Sequence, residues 1–462
     1  MKLIYHAKQL ILLGGDFLCF IFGFWLSLMA RYLRTPMWSD IEKHLVLFFF
    51  LFLLWIVINY INGLYDLGKF KHKETTRYFI EATLISFLVS IVFFYAISNP
   101  FIAPKTILIL NVLFGYGLSF LWRVIYEKFI GQKSLTNNVI FVGYTPETQE
   151  LIGIIQNNPE GGYKIAAMID PERVVKSSNF PFFDVYHSIQ AIRPAVTNHR
   201  AHVVVIAPHL RQNTDVSREL YELLFWKVQI SDQTTFYEII TGRIPPSTFS
   251  EAWFLENLTN SRQPIYEKLR AFFDFLAGIS VGVICLLCLP FIALALKINS
   301  AGHVFYRQKR VGQGGREFFL YKFRSMYVLR DDGSAEIDGA QFTTKDDKRV
   351  TAVGKFLRKT RLDELPQFIN LLKRDITLIG PRPERPEIVQ QAVEKLPYYS
   401  LRHMVRPGLT GWAVVRQNYT DNLEKTLQKL QYDLFYIKHR SVLMDISILL
   451  RTVNIVLRMM GQ

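Results

Sequence analysis

Cysteine is nearly absent: Cys19, Cys285 and Cys288 are the only three in 462 residues, and all lie inside apolar runs. Neither a disulfide framework nor a Cys/His metal spacing can be built from them. Cys285 and Cys288 do form a CxxC, but within a hydrophobic helical pattern, where packing is the ordinary role. Charge is also sparse, at 20% of residues, and lopsided, with 54 Lys and Arg against 39 Asp and Glu, a formal net charge of +15. Half of the chain is hydrophobic and 14% is aromatic. A chain both apolar and cationic suits a membrane protein that meets anions, either lipid headgroups or phosphorylated substrates. No nucleic-acid partner is expected.

What is abundant is long apolar runs. Four open the chain, at about 10–30, 44–62, 79–97 and 106–126. Each approaches the ~20 residues a helix needs to cross a bilayer. The first is too long for a signal peptide and has no evident cleavage site. Cations set orientation. Lys2 and Lys8 precede the first run; Lys69, Lys71, Lys73 and Arg77 fill the second connection; Arg123, Lys128 and Lys133 follow the fourth. Arg31, Arg34 and Lys43 weaken the bias, which still favours both ends of a four-helix transmembrane bundle (1–134) in the cytoplasm.

A fifth run covers about 271–298. Lys268 and Arg270 precede it, and Lys297, Arg307, Lys309 and Arg310 follow it. Cations on both sides prefer one face of the membrane, and Pro290 should kink the helix. A re-entrant hairpin over about 268–298, entering one leaflet and returning, is therefore expected rather than a spanning helix.

Between these regions, 135–262 reads as a parallel α/β pattern. Strands are expected at 137–144, 163–170, 201–208 and 227–231, with a helix at 147–157. The turn after the first strand is Gly143-Tyr144-Thr145-Pro146, with one glycine where a dinucleotide loop needs several. A Rossmann-like scaffold for assembly or regulation is expected, and a candidate for homodimer contacts. Asp170 at a strand end could contact a ribose, but without the glycines that counts for little.

Residues 263–462 carry the chemistry. In FYRQKRVGQGGREFFLYKFRSM (305–326), Gly312, Gly314 and Gly315 suggest a turn between two strands. Alternation puts Lys322 and Arg324 on one face, opposite the aromatics, beside the membrane and suited to phosphate. In VGKFLRKTRLDELPQFINLLKRD, Leu362, Leu365, Ile369 and Leu372 recur at helical spacing. Pro366 fits only a first turn, so the helix starts near Leu362 or Asp363. Asp363 there could be a simple cap. A cap leaves Glu364 and the cations Arg358, Lys359 and Arg361 unexplained. An ionised carboxylate among cations can attack phosphorus, and a second can hold Mg2+. The prolines of LIGPRPERPE (378–387) stiffen the display of Arg382, and Arg406 leads a second punctuated loop, RPGLTGW. His403 and His439 show no partner spacing.

FYRQKRVG, YKFRSM, VGKFLRKTRLDELPQ, LIGPRPE and RPGLTGW, in this order, resemble the bacterial polyprenyl-phosphate glycosyl-1-phosphate transferases, over about 265–462. The front and middle resemble their large monotopic branch, which initiates exopolysaccharide and O-antigen synthesis. The resemblance implies an α+β monotopic catalytic domain on the cytoplasmic face of the inner membrane, among inner-leaflet lipids. It implies a two-step transfer of sugar phosphate from a UDP-sugar to undecaprenyl phosphate, with UMP released. Carried over, Asp363 is the nucleophile. Glu364, with Asp363 beside it, is a Mg2+ ligand. Arg358 and Arg382 contact phosphate, and Arg270 and Asp274 open the re-entrant helix that breaks at Pro290. Two departures concern sugar preference: Asp347-Lys348-Arg349 stands where relatives often have Asp-Pro-Arg, and AVVRQN follows Gly411-Trp412 where many have a Gln at the first Val.

Two other readings compete. A membrane-bound nucleotide-sugar dehydratase would need a glycine-rich fold and a Tyr-xxx-Lys pair; the clear instance is Tyr65 to Lys69, in a loop after a membrane run. A non-catalytic assembly protein would not need Asp363, Glu364, Arg358 and Arg382 together.

Overall fold

A computed structural model describes residues 2–66, 72–96, 105–131, 136–158, 161–175, 180–258, 263–329, 347–417 and 422–457. Lys69, Lys71 and Lys133 lie outside the described residues. Two compact units divide the chain, Met1–Ile240 and Thr241–Gln462.

The first unit opens with α1 (Lys2–Tyr32), α2 (Trp38–Ile61), α3 (His72–Ala96) and α4 (Lys105–Tyr126). All four are long and apolar enough to cross a membrane. Their shared core is aromatic: Phe20, Phe24, Phe48, Phe52, Trp55 and Tyr116 interlock. A Cβ on Gly23 would strike the backbone of Gly115, so α1 and α4 approach closely through small residues. Within this core, Asp16 pairs with Arg123 and accepts hydrogen bonds from Tyr65 (2.9 Å) and Ser119 (2.7 Å). A buried charge is tolerated in such surroundings only when paired like this. Leu18, Phe22, Val46, Leu88 and Leu113 face outward and exposed, as lipid-facing side chains do. Tyr65 is thus a structural donor in the bundle.

The rest of this unit alternates β1 (Asn137–Val142), α5 (Pro146–Asn157), β2 (Tyr163–Ile169), β3 (Asp184–Tyr186), α6 (Ile192–Asn198), β4 (Val203–Ile206), α7 (Thr214–Leu223), β5 (Gln229–Asp232) and α8 (Gln233–Thr241). The strands form one parallel sheet in the order β3-β2-β1-β4-β5. β1 and β4 are β-branched and buried, as strands covered on both faces require. The expected strands and helix are present, and the short edge strand β3 is additional. Order reverses between β1 and β4, where doubly wound folds bind nucleotides. Here Ala207, Leu210 and His209 crowd Gly143, and α5 starts with Pro146, capped by Thr145 through the amide of Thr148. That helix start has lost one amide donor to proline and another to its own cap.

The second unit contains α9 (Glu251–Leu258), α10 (Pro264–Asn299), β6 (Phe305–Val311), β7 (Glu317–Phe323), α11 (Ala352–Thr360), a 3-10 turn (Leu362–Gln367), α12 (Phe368–Lys373), β8 (Thr377–Ile379), α13 (Pro386–Lys395), β9 (Gly408–Thr410), α14 (Trp412–Arg416), α15 (Leu423–His439) and α16 (Val442–Leu457). It begins at Thr241 rather than near 263, because Ile244, Phe254 and Leu258 share a core with Tyr399, Trp412 and Leu434. β6 and β7 form the expected antiparallel hairpin around Gly312–Gly315.

α10 differs from expectation. It runs uninterrupted through Pro290, so no separate return limb forms. Proline removes one backbone donor, and the rest of the helical ladder continues across it. Both ends nevertheless bond to the same unit. Near the start, Arg270 donates to Thr377 Oγ1 (3.0 Å) and to the Ile379 carbonyl, and Asp274 accepts from Thr377 Oγ1 (2.7 Å) and the Leu378 amide (2.9 Å). In the middle, Gly278 and Gly282 lie against Leu372 and Phe368. At the end, Cys285, Ile292 and Leu296 join Phe323 and Leu357 in one cluster. The opposite face, with Phe272, Phe275, Val283, Leu287, Phe291 and Leu294, is exposed.

Candidate active site

The 3-10 turn places the two acids. α11 ends at Arg361, whose backbone is left-handed (φ 60°, ψ 14°), and the chain swings directly into Leu362–Gln367. A non-glycine residue there stores strain, which recurs at functional sites. A 3-10 helix stacks residues i and i+3. Leu362 and Leu365 therefore share the side that packs with Phe368 against the α10 cluster. Asp363 and Glu364 are carried elsewhere and are buried, at 4% and 9% exposure. The expected helix start at Leu362 is present, but as a 3-10 turn that becomes α-helical at Phe368.

β7 brings Lys322 to the acids. Its Nζ lies 3.5 Å from Glu364 Oε1 and 3.9 Å from Asp363 Oδ2. Asn370 on α12 fixes this register: its Oδ1 accepts the Tyr321 amide (3.1 Å) and its Nδ2 donates to the Phe319 carbonyl (2.7 Å). One oxygen, Glu364 Oε1, is also reached by Arg382 (2.7 Å) and Arg361 (3.2 Å). Asp363 Oδ1, by contrast, is buried with no hydrogen-bond partner.

The electrostatics follow from this arrangement. Burial pushes the Asp363 carboxyl up, opposed by Lys322, and helped by the charge of Glu364. Burial would also raise Glu364, but Arg382, Lys322 and Arg361 outweigh it and hold that carboxyl well below the usual range. Burial lowers Lys322 against the pull of both acids. Arg358, on α11, also acts to lower Asp363 through its charge.

Lys322, Asp363, Glu364 and Arg382 thus converge as the sequence suggested. Arg324 does not. It lies beyond the last residue of β7, is 4% exposed, and donates to the carbonyls of Leu296 (3.4 Å), Ser300 (2.8 Å) and Ala301 at the end of α10. It is a helix cap. Arg406 lines another cavity, of about 600 Å³, with Arg270, Asp274, Gln313, Thr377 and Arg440. Asp347 is held by Arg349 through two short contacts (2.9 and 2.6 Å).

Sequence reasoning missed a buried charged cluster behind Arg382. Arg402 bonds Asp433 (2.8 Å) and Tyr399 (2.7 Å), while Glu384 pairs with Lys429 and lies 3.7 Å from Arg310. Burial would raise Glu384, yet Lys429, Arg402 and Arg310 bring it down to about 2. These residues come from distant stretches of chain with no shared period. The signal available was Glu384 itself, an acid enclosed by prolines.

Residues 265–459 match the family model described as bacterial sugar transferase. A UDP-N-acetylgalactosamine-undecaprenyl-phosphate N-acetylgalactosaminephosphotransferase of Aeromonas hydrophila is 42% identical over 48% of this chain and 51% of its own. A UDP-glucose:undecaprenyl-phosphate glucose-1-phosphate transferase of Escherichia coli K12 is 44% identical over 35% of this chain and 34% of its own. The chain thus spans about half, or less, of the length of these relatives. The exopolysaccharide production protein PSS of Rhizobium leguminosarum bv. phaseoli is 35% identical over 40% of this chain and 93% of its own length. The chain belongs to the bacterial sugar transferase family.

Proposed function

We propose that the chain transfers a sugar-1-phosphate from a UDP-sugar to undecaprenyl phosphate, with release of UMP, as the first membrane step of a surface polysaccharide. The observation that carries this is Asp363: a buried carboxylate with one oxygen unpartnered, set among Lys322, Arg358, Arg361 and Arg382. The printed activities of the Aeromonas and Escherichia relatives support the substrate classes.

Asp363 attacks the donor's β-phosphorus. A new P–O bond forms to the carboxylate, and the bond to the bridging oxygen breaks, which leaves with UMP. A phosphate oxygen of undecaprenyl phosphate then attacks the same phosphorus and returns Asp363 to its ionised form. Arg382 and Lys322 offset charge on the transferred phosphoryl group. Both cations already rest on Glu364, so they are positioned before substrate arrives.

The donor set fits Mg2+: two adjacent hard carboxylates, one of them with a buried oxygen unpartnered. Mg2+ takes few protein oxygens beside substrate phosphates. Asp363 and Glu364 would hold it, and it would neutralise pyrophosphate charge when bound.

α10 supports a monotopic placement at the inner leaflet. A straight helix of 36 residues would reach about 54 Å, beyond a ~30 Å hydrocarbon core. Yet its two ends bond to one unit, so they belong on one side. A homodimer through the middle domain is supported by Tyr221, Leu224, Phe225 and Trp226, exposed together at the end of α7.

Purified protein and oriented vesicles, given a panel of UDP-sugars with undecaprenyl phosphate and Mg2+, test the reading. UMP release by inside-out but not right-side-out vesicles, abolished by Asp363→Asn, is expected, and the active sugar names the donor. Near-normal turnover in Asp363→Asn would end the covalent mechanism. Cross-linking of Phe225→Cys between copies reads the dimer; no cross-link would remove it.

A further inference from the structure

Pro381 and Pro383 carry no backbone N–H, so the loop that displays Arg382 offers its surroundings mainly carbonyls. Every carbonyl from 381 to 384 is taken. Gly408 N donates to Pro381 (2.9 Å), Arg402 Nη2 to Arg382 (2.9 Å), Arg310 Nη1 to Pro383 (3.1 Å) and Val311 N to Glu384 (2.9 Å). Two of the four donors are guanidinium groups. Arg402 is 2% exposed and Asp433 1%, deep enough that each needs the other.

We propose that Arg402, locked by Asp433 and Tyr399 and bonded to the Arg382 carbonyl, is a positioning residue that sets the reach of the Arg382 guanidinium to Glu364. Arg402 touches no reacting atom. Its fork makes three directional contacts at once: Nε and Nη2 to Asp433, Nη1 to Tyr399, and Nη2 to the loop. A lysine keeps the charge but, as a point donor on a flexible stem, cannot make these contacts together. Arg310 holds the next carbonyl of the loop, that of Pro383, in the same manner, and the Glu384 side chain pairs with Lys429. Only the kinetic arm of the test below rests on the proposed transfer reaction.

The full-length protein in nanodiscs carries the test, with Arg402→Lys and, should that variant fold poorly, Asp433→Asn. The kcat for UMP release should fall at least about tenfold while KM for the UDP-sugar moves less than about twofold, since a catalytic group slightly misplaced loses rate rather than affinity. In an Arg382→Ala background the same substitution should change kcat by less than about twofold, because its effect runs through a side chain already removed. An undiminished loss in that background would make Arg402 a general structural residue and overturn the proposal. Independently of turnover, hydrogen exchange at the Gly408 and Val311 amides, which donate to the loop carbonyls of Pro381 and Glu384, should quicken by at least about tenfold in Arg402→Lys, with the 362–367 peptide unchanged. Unchanged exchange at these two amides would overturn the proposal as well. A wild-type protein that releases no UMP from any UDP-sugar, yet shows the exchange difference, would remove the transfer reaction and leave the positioning intact.

Discussion

Asp363 and Glu364 are neighbours in the chain, yet their carboxyls move in opposite directions. Glu364 has Arg382, Arg361 and Lys322 on a single oxygen; for Asp363 burial outweighs its cations, of which Lys322 lies 3.9 Å away. The outcome divides labour between them. Glu364 is held ionised by its cations, and Asp363 is the more basic of the two, which suits the nucleophilic role proposed for it. The sign of its pH dependence follows. In the proposed reaction Asp363 must be ionised to attack, so its raised pKa should place the acid limb of kcat/KM above the usual carboxylate range. Lys322 lowers that pKa, so Lys322→Met should move the limb to higher pH, as read from initial rates of UMP release across mildly acidic pH. A limb that stays in place or moves down would show that Asp363 does not govern it. At this scale the sequence was informative where charges were adjacent or displayed by prolines. It misled at Arg324, because alternation holds only within a strand and β7 ends one residue earlier. Asn370, Arg402 and Asp433 gave no signal, since what makes them important is a partner far along the chain.

Among the elements, the 3-10 turn and α10 depend on each other. Leu362 and Leu365 pack against α10, and Arg324 closes its last carbonyls. Helix ends leave such carbonyls without partners unless a side chain supplies them. Arg324→Met should therefore lower stability by about 1–3 kcal/mol, the usual loss when buried acceptors go unsatisfied. Thermal unfolding in nanodiscs reads that loss, with KM for the UDP-sugar unchanged. A raised KM with unaltered unfolding would return Arg324 to the substrate site. Run length made α10 legible as a helix long and apolar enough to cross a membrane. It could not show that Pro290 leaves the helix continuous, since the residues on either side of it, Cys285, Ile292 and Leu296, pack with Phe323 and Leu357 from distant parts of the chain.

For the whole molecule, all residues converging on Asp363 and Glu364 belong to Thr241–Gln462. The Rhizobium relative, matched over 93% of its length by 40% of this chain, shows that family members need not carry the front half. Residues 241–462 expressed alone in membranes should release UMP at a rate within about threefold of the full chain, as expected of a domain with its own core. Loss of release in a membrane-bound, folded fragment would mean that the first unit contributes to the site. The apolar helices were legible from hydrophobic run length, and the parallel sheet from strand–helix alternation. The junction at Thr241 was not, since α9 is a short polar-faced helix whose membership is settled by Phe254 and Leu258 meeting Trp412's cluster.

A helix tied at both ends to one rigid body cannot tilt freely to suit its surroundings. Most membrane helices absorb a change in bilayer thickness by leaning. α10 is held by Arg270 and Asp274 at one end and Arg324 at the other, so in the proposed placement a change of thickness should alter how deeply the body rides. Acyl-chain length then becomes a control on turnover: in vesicles of graded lipid length, UMP release should pass through a maximum, and a flat profile would mean that α10 does not sit among the acyl chains.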